Sequence, residues 1–307
     1  MKKVFMIFAA ATMCAACQQA PDVSELLGEE PTEVTKDENG LIQEQKGVTK
    51  KFTFTLKGDF STQWKSVTRT AGYLAAEGKD MTDVWVLDYM YGALVQQLHQ
   101  SDVTAEDFGK PVLNLAYGSH HIYIIASRST GATLDTENHI IKFAKVSDTF
   151  YKDYTVDVVS TSNGNRAVTL DRIVTKLRLG FTDAVAENAA TFNITPEKWY
   201  YGWDYINATP ADAKVNQTIT VNIPASEIGS TSTTVNIYSF NTSSQVTTNI
   251  TLNSKDADGN VIGQATIADV PFKSNRVSEY TGPLFGSDGT MSLSLSSIWD
   301  DSYTGIW

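Results

Sequence analysis

The folded part of the chain alternates apolar and polar residues with a period of two. Phe52, Phe54 and Leu56 are separated by threonines, which places the three apolar side chains on one face of a strand. Similar runs, rich in β-branched and aromatic residues, recur at 84–87, 112–115, 121–126, 155–159, 174–179, 219–223, 233–240, 246–252, 261–267 and 291–295. The pattern predicts about fifteen β-strands.

Turn-forming residues stand between these runs. They are Tyr91-Gly92, Tyr117-Gly118, Asn163-Gly164-Asn165, Asp258-Gly259-Asn260 and Asp288-Gly289. Short strands joined by tight turns favour antiparallel sheets, because parallel strands need long crossover connections. Helical patterns near Glu25 and Glu106 cover only one or two turns. The sequence therefore predicts an all-β protein with two antiparallel sandwiches of about seven or eight strands each, at 48–172 and 173–307.

The first residues have the layout of a bacterial secretory signal. Lys2 and Lys3 precede an apolar run at 4–13, which is too short to span a bilayer. Cys17 follows two alanines, as in lipoprotein signals, so we expect residues 1–16 to be removed and Cys17 to carry lipid. An ordinary signal peptidase site is the alternative.

Residues 17–47 form the next predicted segment, a lipidated flexible tether. Between 18 and 46 it holds eight acidic residues against Lys36 and Lys46, without a sustained hydrophobic period. Its few leucines could instead mark a short docked element.

Composition and charge exclude several classes of function. Hydrophobic residues make up 42% and charged residues 19%, and the net charge is −11. A chain this acidic, without a stripe of basic residues, is a poor candidate for binding nucleic acid or for binding anionic lipid through a polybasic segment. Cys14 and Cys17 are the only cysteines, so the folded part has no thiol for a disulfide, a nucleophile or a thiolate metal site.

Motifs for catalysis are missing from the sequence. It contains no phosphate-binding glycine loop, nucleophile elbow or metalloprotease histidine pair. His120 and His121 point to opposite faces of a strand and are predicted at a solvated strand start. Asp88, Asp171 and Asp183 are predicted at turns or strand ends. We expect no catalytic residue, cofactor or metal, and no enzyme activity.

An aromatic group at 199–205 has two interpretations. On a loop, Trp199, Tyr201 and Trp203 could form a platform for sugar rings. Large aromatic side chains also fill cores and domain interfaces, and we favour that interpretation.

Several stretches, taken in their order along the chain, resemble those of a known family. They are Phe52 with Thr68-Arg69-Thr70-Ala71, residues 83–88, Phe108-Gly109 with residues 123–126, residues 147–151, residues 170–177, and Asn275-Arg276 with Tyr280-Thr281-Gly282. In this order they resemble the fimbrillin family, the pilus subunits and related adhesins of Bacteroidales. The resemblance spans nearly all of the folded part.

The resemblance implies a fold, a location and an assembly mechanism. It implies two transthyretin-like sandwiches and a lipoprotein carried to the cell surface, on the outer membrane or in a fimbrium, where the lipid anchor is its only membrane contact. In polymerising members, an arginine-specific protease removes the N-terminal strand and a strand from another subunit fills the groove. Here the cut would follow Arg69, and the displaced strand would contain Phe52, Phe54 and Leu56. The alternative is that Arg69 is an ordinary exposed loop residue.

The leading functional prediction is therefore a structural and adhesive surface lipoprotein with other pilus subunits as partners, together with a possible host or bacterial surface ligand. An anchor or accessory role is favoured over a stalk role, because little chain follows Trp299 to serve as a donor strand. The runner-up is a surface glycan-binding lipoprotein that uses the aromatic residues at 199–205. An enzyme ranks third.

Overall fold

The computed structural model describes residues 49–58, 72–73, 81–286 and 292–294, and these residues form strands and one short 3-10 helix, Ala225–Glu227. The predicted all-β class is confirmed. The strands before residue 173 are β1 (Thr49–Gly58), β2 (Gly72–Tyr73), β3 (Asp83–Met90), β4 (Ala93–Gln100), β5 (Val112–Ala116), β6 (Gly118–Ser127), β7 (Thr130–Asp135), β8 (Ile140–Lys145), β9 (Thr149–Val158), β10 (Asn165–Thr169) and β11 (Asp171–Arg172).

The remaining strands follow Ile173. They are β12 (Val174–Phe181), β13 (Ala189–Pro196), β14 (Lys198–Asp204), β15 (Thr209–Val215), β16 (Ile219–Asn222), β17 (Thr234–Phe240), β18 (Val246–Asp256), β19 (Val261–Phe272), β20 (Val277–Gly282) and β21 (Ser292–Ser294). Each predicted run overlaps one of these strands, and the described residues hold twenty-one strands where the sequence predicted about fifteen. The residues near Glu106 form turns instead of a helix, because the Asp102 carboxylate accepts hydrogen bonds from the Thr104 amide and hydroxyl and so closes a turn.

The first half of the chain, up to β11, forms two sheets around one core. In one sheet β1 lies between β10 and the pair β2 and β5, and the other sheet has the order β11-β9-β6-β3-β4. Alternate residues of β1, β3 and β6 point into the space between the sheets, where Phe54, Val86 and Ile124 are fully buried. This half is thus a sandwich in which β1 occupies a central position.

The second half repeats this arrangement. Its sheets have the orders β17-β12-β20-β21 and β16-β13-β18-β19 and enclose a second core. As β1 pairs in parallel with β10 and antiparallel with β5, so β12 pairs in parallel with β20 and antiparallel with β17. β1 and β12 are therefore equivalent strands of two similar sandwiches, a repeat that the sequence does not show.

A fifth sheet joins the halves. The hairpin β7-β8 from the first half and the hairpin β14-β15 from the second form one sheet, β15-β14-β8-β7. Ile140, Ile141 and Lys142 of β8 face residues 202–204 of β14 across the seam. A third apolar cluster packs beneath this sheet and includes Trp85, Phe143 and Trp203. Because it packs on the second face of the β3 sheet, β3 is buried on both faces and reads as a continuous apolar run.

Candidate functional site

Strand β1 is the structural element on which the predicted assembly mechanism depends. Phe52, Phe54 and Leu56 are all fully buried in the core of the first sandwich, whereas Thr53 and Thr55 are half-buried on the other face. Burying each large apolar side chain contributes roughly 1.5–3 kcal/mol relative to leaving it exposed. The guanidinium of Arg166 on β10 lies 5.0 Å from the centre of the Phe52 ring. The strand is thus a large part of the core of its domain.

Both edges of β1 are hydrogen-bonded. Residues 53–57 pair in parallel with 165–169 of β10, and residues 49–53 pair antiparallel with 112–116 of β5. The loop before β10 approaches closely: a Cβ on Gly164 would lie 2.1 Å from the carbonyl oxygen of Lys51, so only glycine fits there. Without β1, the edges of β5 and β10 would flank an apolar groove with unpaired backbone groups.

Two further predicted residues fall outside the part of the chain that the structure describes. These are Cys17, the expected lipid attachment point, and Arg69, the candidate processing site. The signal at 1–16 and the tether at 17–47, with the helical pattern near Glu25, fall outside it too. All remain predictions.

The aromatic residues at 199–205 lie on strand β14 and not on a loop. Trp199 is 2% exposed in the second core, and its indole N–H donates to the Tyr238 carbonyl at 2.8 Å. Trp203 is 3% exposed in the cluster between the halves, with its ring centre 5.5 Å from that of Tyr151. Tyr201 is half-buried. This burial favours the packing interpretation over an exposed platform for sugars.

Hydrogen-bonded tyrosines join the two halves beside Trp203. The Tyr89 and Tyr205 hydroxyls lie 2.9 Å apart, and the Tyr151 hydroxyl donates to the Tyr205 carbonyl at 2.6 Å. Burial, the largest cause, raises the pKa of Tyr151 and Tyr205 far above the usual tyrosine value. These phenols therefore stay protonated and hydrogen-bonded at any ordinary pH.

A buried ionic network lies where the chain passes from the first half to the second. The Arg172 guanidinium binds both carboxylate oxygens of Asp148, at 2.6 and 3.1 Å, and Arg128 donates to Asp148 at 2.8 Å. Arg172 also donates to the Asn275 side-chain oxygen at 3.1 Å. Because Asn275 precedes β20, one guanidinium connects the two sandwiches. Arg172 follows the charged Asp171 and precedes Ile173, so the sequence gives no distinct signal for its burial.

The buried pair Asp88–His120 corrects two predictions. The histidines do point to opposite faces of β6, but His120 is 1% exposed, so the prediction of a solvated strand start is wrong for it. Asp88 is equally buried, inside β3 and not at a strand end. His120 Nδ1 lies 2.8 Å from Asp88 Oδ1, and Nε2 lies 3.0 Å from the Ala116 carbonyl oxygen. Since a carbonyl only accepts, Nε2 carries a proton.

The other two carboxylates differ in role. Asp171 lies in β11, is exposed, and pairs with Lys152 at 3.0 Å. Asp183 lies outside the strands, as predicted, and accepts hydrogen bonds from the backbone amides of residues 284–286. It thereby fixes the segment that follows β20.

We expect the stability of the protein to fall as the pH rises above about 6.5, because of His120. Burial lowers the pKa of His120, but the hydrogen bond and charge of Asp88, with the Ala116 carbonyl, outweigh it and leave the pKa raised. The pKa of Asp88 is raised as well, in this case by burial. The folded state therefore binds protons more tightly than the unfolded state. The stabilisation is complete below the unfolded pKa and is lost through the folded pKa, with a slope of at most about 1.4 kcal/mol per pH unit for one proton.

Urea unfolding between about pH 6 and pH 8 measures this slope. His120→Gln should flatten it, and His121→Gln, on the exposed face of the same strand, is the control for replacing a histidine of β6. An equal slope in the wild type and in His120→Gln would contradict the assignment.

Comparison with known proteins finds similarity of fold with solved structures. No family model and no curated protein matches the sequence. Among solved structures, a Bacteroides thetaiotaomicron protein proposed to bind polysaccharide is similar with a TM-score of 0.50 and 13% identity, over 75% of this chain and 89% of that chain.

Two further solved structures are similar over most of their length. A proposed adhesin from Bacteroides ovatus has a TM-score of 0.49 and 11% identity, over 81% of this chain and 97% of that chain. The fimbrial anchor protein Mfa2 from Porphyromonas gingivalis has a TM-score of 0.41 and 9% identity, over 80% of this chain and 95% of that chain. At these identities the likeness is one of fold, and at that level the predicted resemblance is confirmed. No helix among the described residues is long and apolar enough to cross a membrane.

Proposed function

We propose that this chain is a structural and adhesive surface protein, a fimbrillin-like pilus subunit that assembles by β-strand complementation. The observation that carries the proposal is the position of β1, whose apolar face fills the first core and whose two edges are both paired. Its partners would be other pilus subunits. Names among the similar structures, such as adhesin and fimbrial anchor, agree with this role, although the argument rests on β1.

The place of Arg69 in the chain supports the proposal. It falls between the last residue of β1, Gly58, and the first of β2, Gly72. A cut after Arg69 would separate β1 from every later strand, so that hydrogen bonds and side-chain burial alone would hold it. A strand of another subunit with the same alternation could then pair with β5 and β10 and refill the groove.

The finer assignments follow the same proposal. Cys17 would carry the lipid of an outer-membrane lipoprotein. Release of β1 followed by an oligomer ladder would mean a stalk position, whereas a chain that keeps β1 would hold the anchor or accessory position that was favoured from the sequence. Glycan binding through Trp199, Tyr201 and Trp203, the alternative function, is disfavoured because both indoles are buried.

Timed digestion with an arginine-specific protease tests the proposal. We expect one early cut after Arg69, followed by a ladder of oligomers that survive detergent. The Arg69→Gln variant, digested alongside, should give neither the cut nor the ladder. A wild-type chain that is cut after Arg69 but stays monomeric would overturn assembly by strand complementation.

A further inference from the structure

The last described strand, β21, runs toward the junction between the two sandwiches. It pairs antiparallel with β20, and Ser294 faces Glu279. Because the two strands run in opposite directions, each residue after Ser294 lies opposite an earlier residue of β20 as long as the pairing continues. β20 begins at Val277, two residues after Asn275, whose side chain binds Arg172. The chain that follows Ser294 therefore leads toward the buried ionic network.

The sequence that follows β21 combines a strand pattern with negative charge. Apolar residues alternate with serines over residues 291–296, which predicts that the strand continues past Ser294. The rest of the sequence contains Asp300 and Asp301 and no lysine or arginine. An extended strand rises about 3.4 Å per residue, so Asp300 can lie about 20 Å beyond Ser294, just past the level of Asn275.

Four basic residues come together at this junction and form a cationic cluster. They are Arg128, Arg172, Lys176 and Arg178. Asp148 binds both Arg128 and Arg172. The Glu279 carboxylate lies 3.5 Å from the Arg178 guanidinium. The described residues thus give the cluster four positive and two negative charges, a net charge of +2 within a chain whose net charge is −11.

Lys176 shows how strongly the positive charge is concentrated. Its side chain is half-buried, and burial is the largest cause that lowers its pKa. Repulsion by Arg178 and Arg172 lowers the pKa further, and the attraction of the two carboxylates does not restore it. A further carboxylate beside Lys176 would favour its charged form, so the cluster is suited to bind an acidic segment.

We propose that residues 295–301 of this chain continue β21 along β20 and that Asp300 and Asp301 bind the cationic cluster. The two aspartates match its net charge, and hydrogen bonds between charged partners are the strong ones. Because Arg128 belongs to the first half and Lys176 to the second, the bound segment clasps the two sandwiches together. It also stays with its own chain. The clasp is separate from β1 and does not depend on pilus assembly.

Two engineered disulfides test the path of the segment. If β21 continues, Ser296 lies directly opposite Val277, as Ser294 lies opposite Glu279. In a full chain whose two native cysteines are replaced by serine, Val277→Cys with Ser296→Cys should oxidise as completely as the reference pair, Glu279→Cys with Ser294→Cys. Mass mapping of the peptides identifies each bond. A reference disulfide that forms while the 277–296 bond does not would overturn the proposal and leave the cluster to another occupant, such as the acidic N-terminal segment.

Charge variants test the contact itself. Chymotrypsin should cut after Trp299 about fivefold faster in Lys176→Met than in the wild type, because the loss of one ionic contact lets the segment open more often. Lys255→Met, near the end of β18 and outside the cluster, should leave the rate unchanged. In a chain that already carries Asp300→Asn and Asp301→Asn, Lys176→Met should add nothing. The same increase in both backgrounds, or none in the wild-type background, would refute the contact.

Discussion

Replacing Asp148 by asparagine is expected to lower the free energy of unfolding by about 3–5 kcal/mol. Asp148 is 3% exposed and receives hydrogen bonds from both Arg172 and Arg128. Removing its charge takes the shared counter-ion away from two buried or nearly buried guanidinium groups, so a large part of their desolvation cost is no longer compensated. The loss should appear in urea unfolding as a lower midpoint.

A matched control exists on neighbouring strands. Asp171 pairs with Lys152 at 3.0 Å, but the two side chains are 70% and 39% exposed. Solvent screens such a pair, so Asp171→Asn should change the free energy of unfolding by less than about 1 kcal/mol. If both variants lost the same small amount, the ionic network would not hold the junction.

Replacing Phe54 by alanine is expected to cost about 3–5 kcal/mol, because the substitution empties a fully buried site in the first core. Thr55→Ala, on the half-buried face of β1, serves as the control and should cost far less. Calorimetry on both variants measures the difference. A Phe54→Ala variant as stable as Thr55→Ala would mean that β1 does not fill the core, and the proposed groove would lose its basis.

The strand content could be predicted because one face of most strands is buried and the other is wet. Phe52, Phe54 and Leu56 show that alternation, and the structure places them on β1. Strand β14 shows this alternation only in part: Trp199 and Trp203 lie on one face and pack in different apolar clusters, Tyr201 between them is only half-buried, and Gly202 on the other face is buried. Because burial along β14 does not follow a period of two, the sequence pattern alone did not identify this segment as a strand.

Contacts between distant residues could not be predicted. Asp88 and His120 are 32 positions apart, and Asp148 and Arg172 are 24 apart. Only the pairing of β3 with β6, and of β9 with β11, brings these side chains together. The joint sheet of β8 and β14 likewise depends on tertiary packing, because neither hairpin carries a local signal for the other.

A disulfide that locks β1 in place tests the central claim most directly. Lys51 on β1 faces Asn114 on β5, both exposed, and directly opposed residues of an antiparallel pair lie within the Cα separation that a disulfide spans. The variant carries Lys51→Cys and Asn114→Cys, with Cys14 and Cys17 replaced by serine. It is digested with an arginine-specific serine protease, once oxidised and once reduced. Our account predicts the cut after Arg69 in both samples, and the oligomer ladder only in the reduced one. A ladder of equal strength in the oxidised sample would show that subunits assemble while β1 stays in place, and would contradict strand complementation.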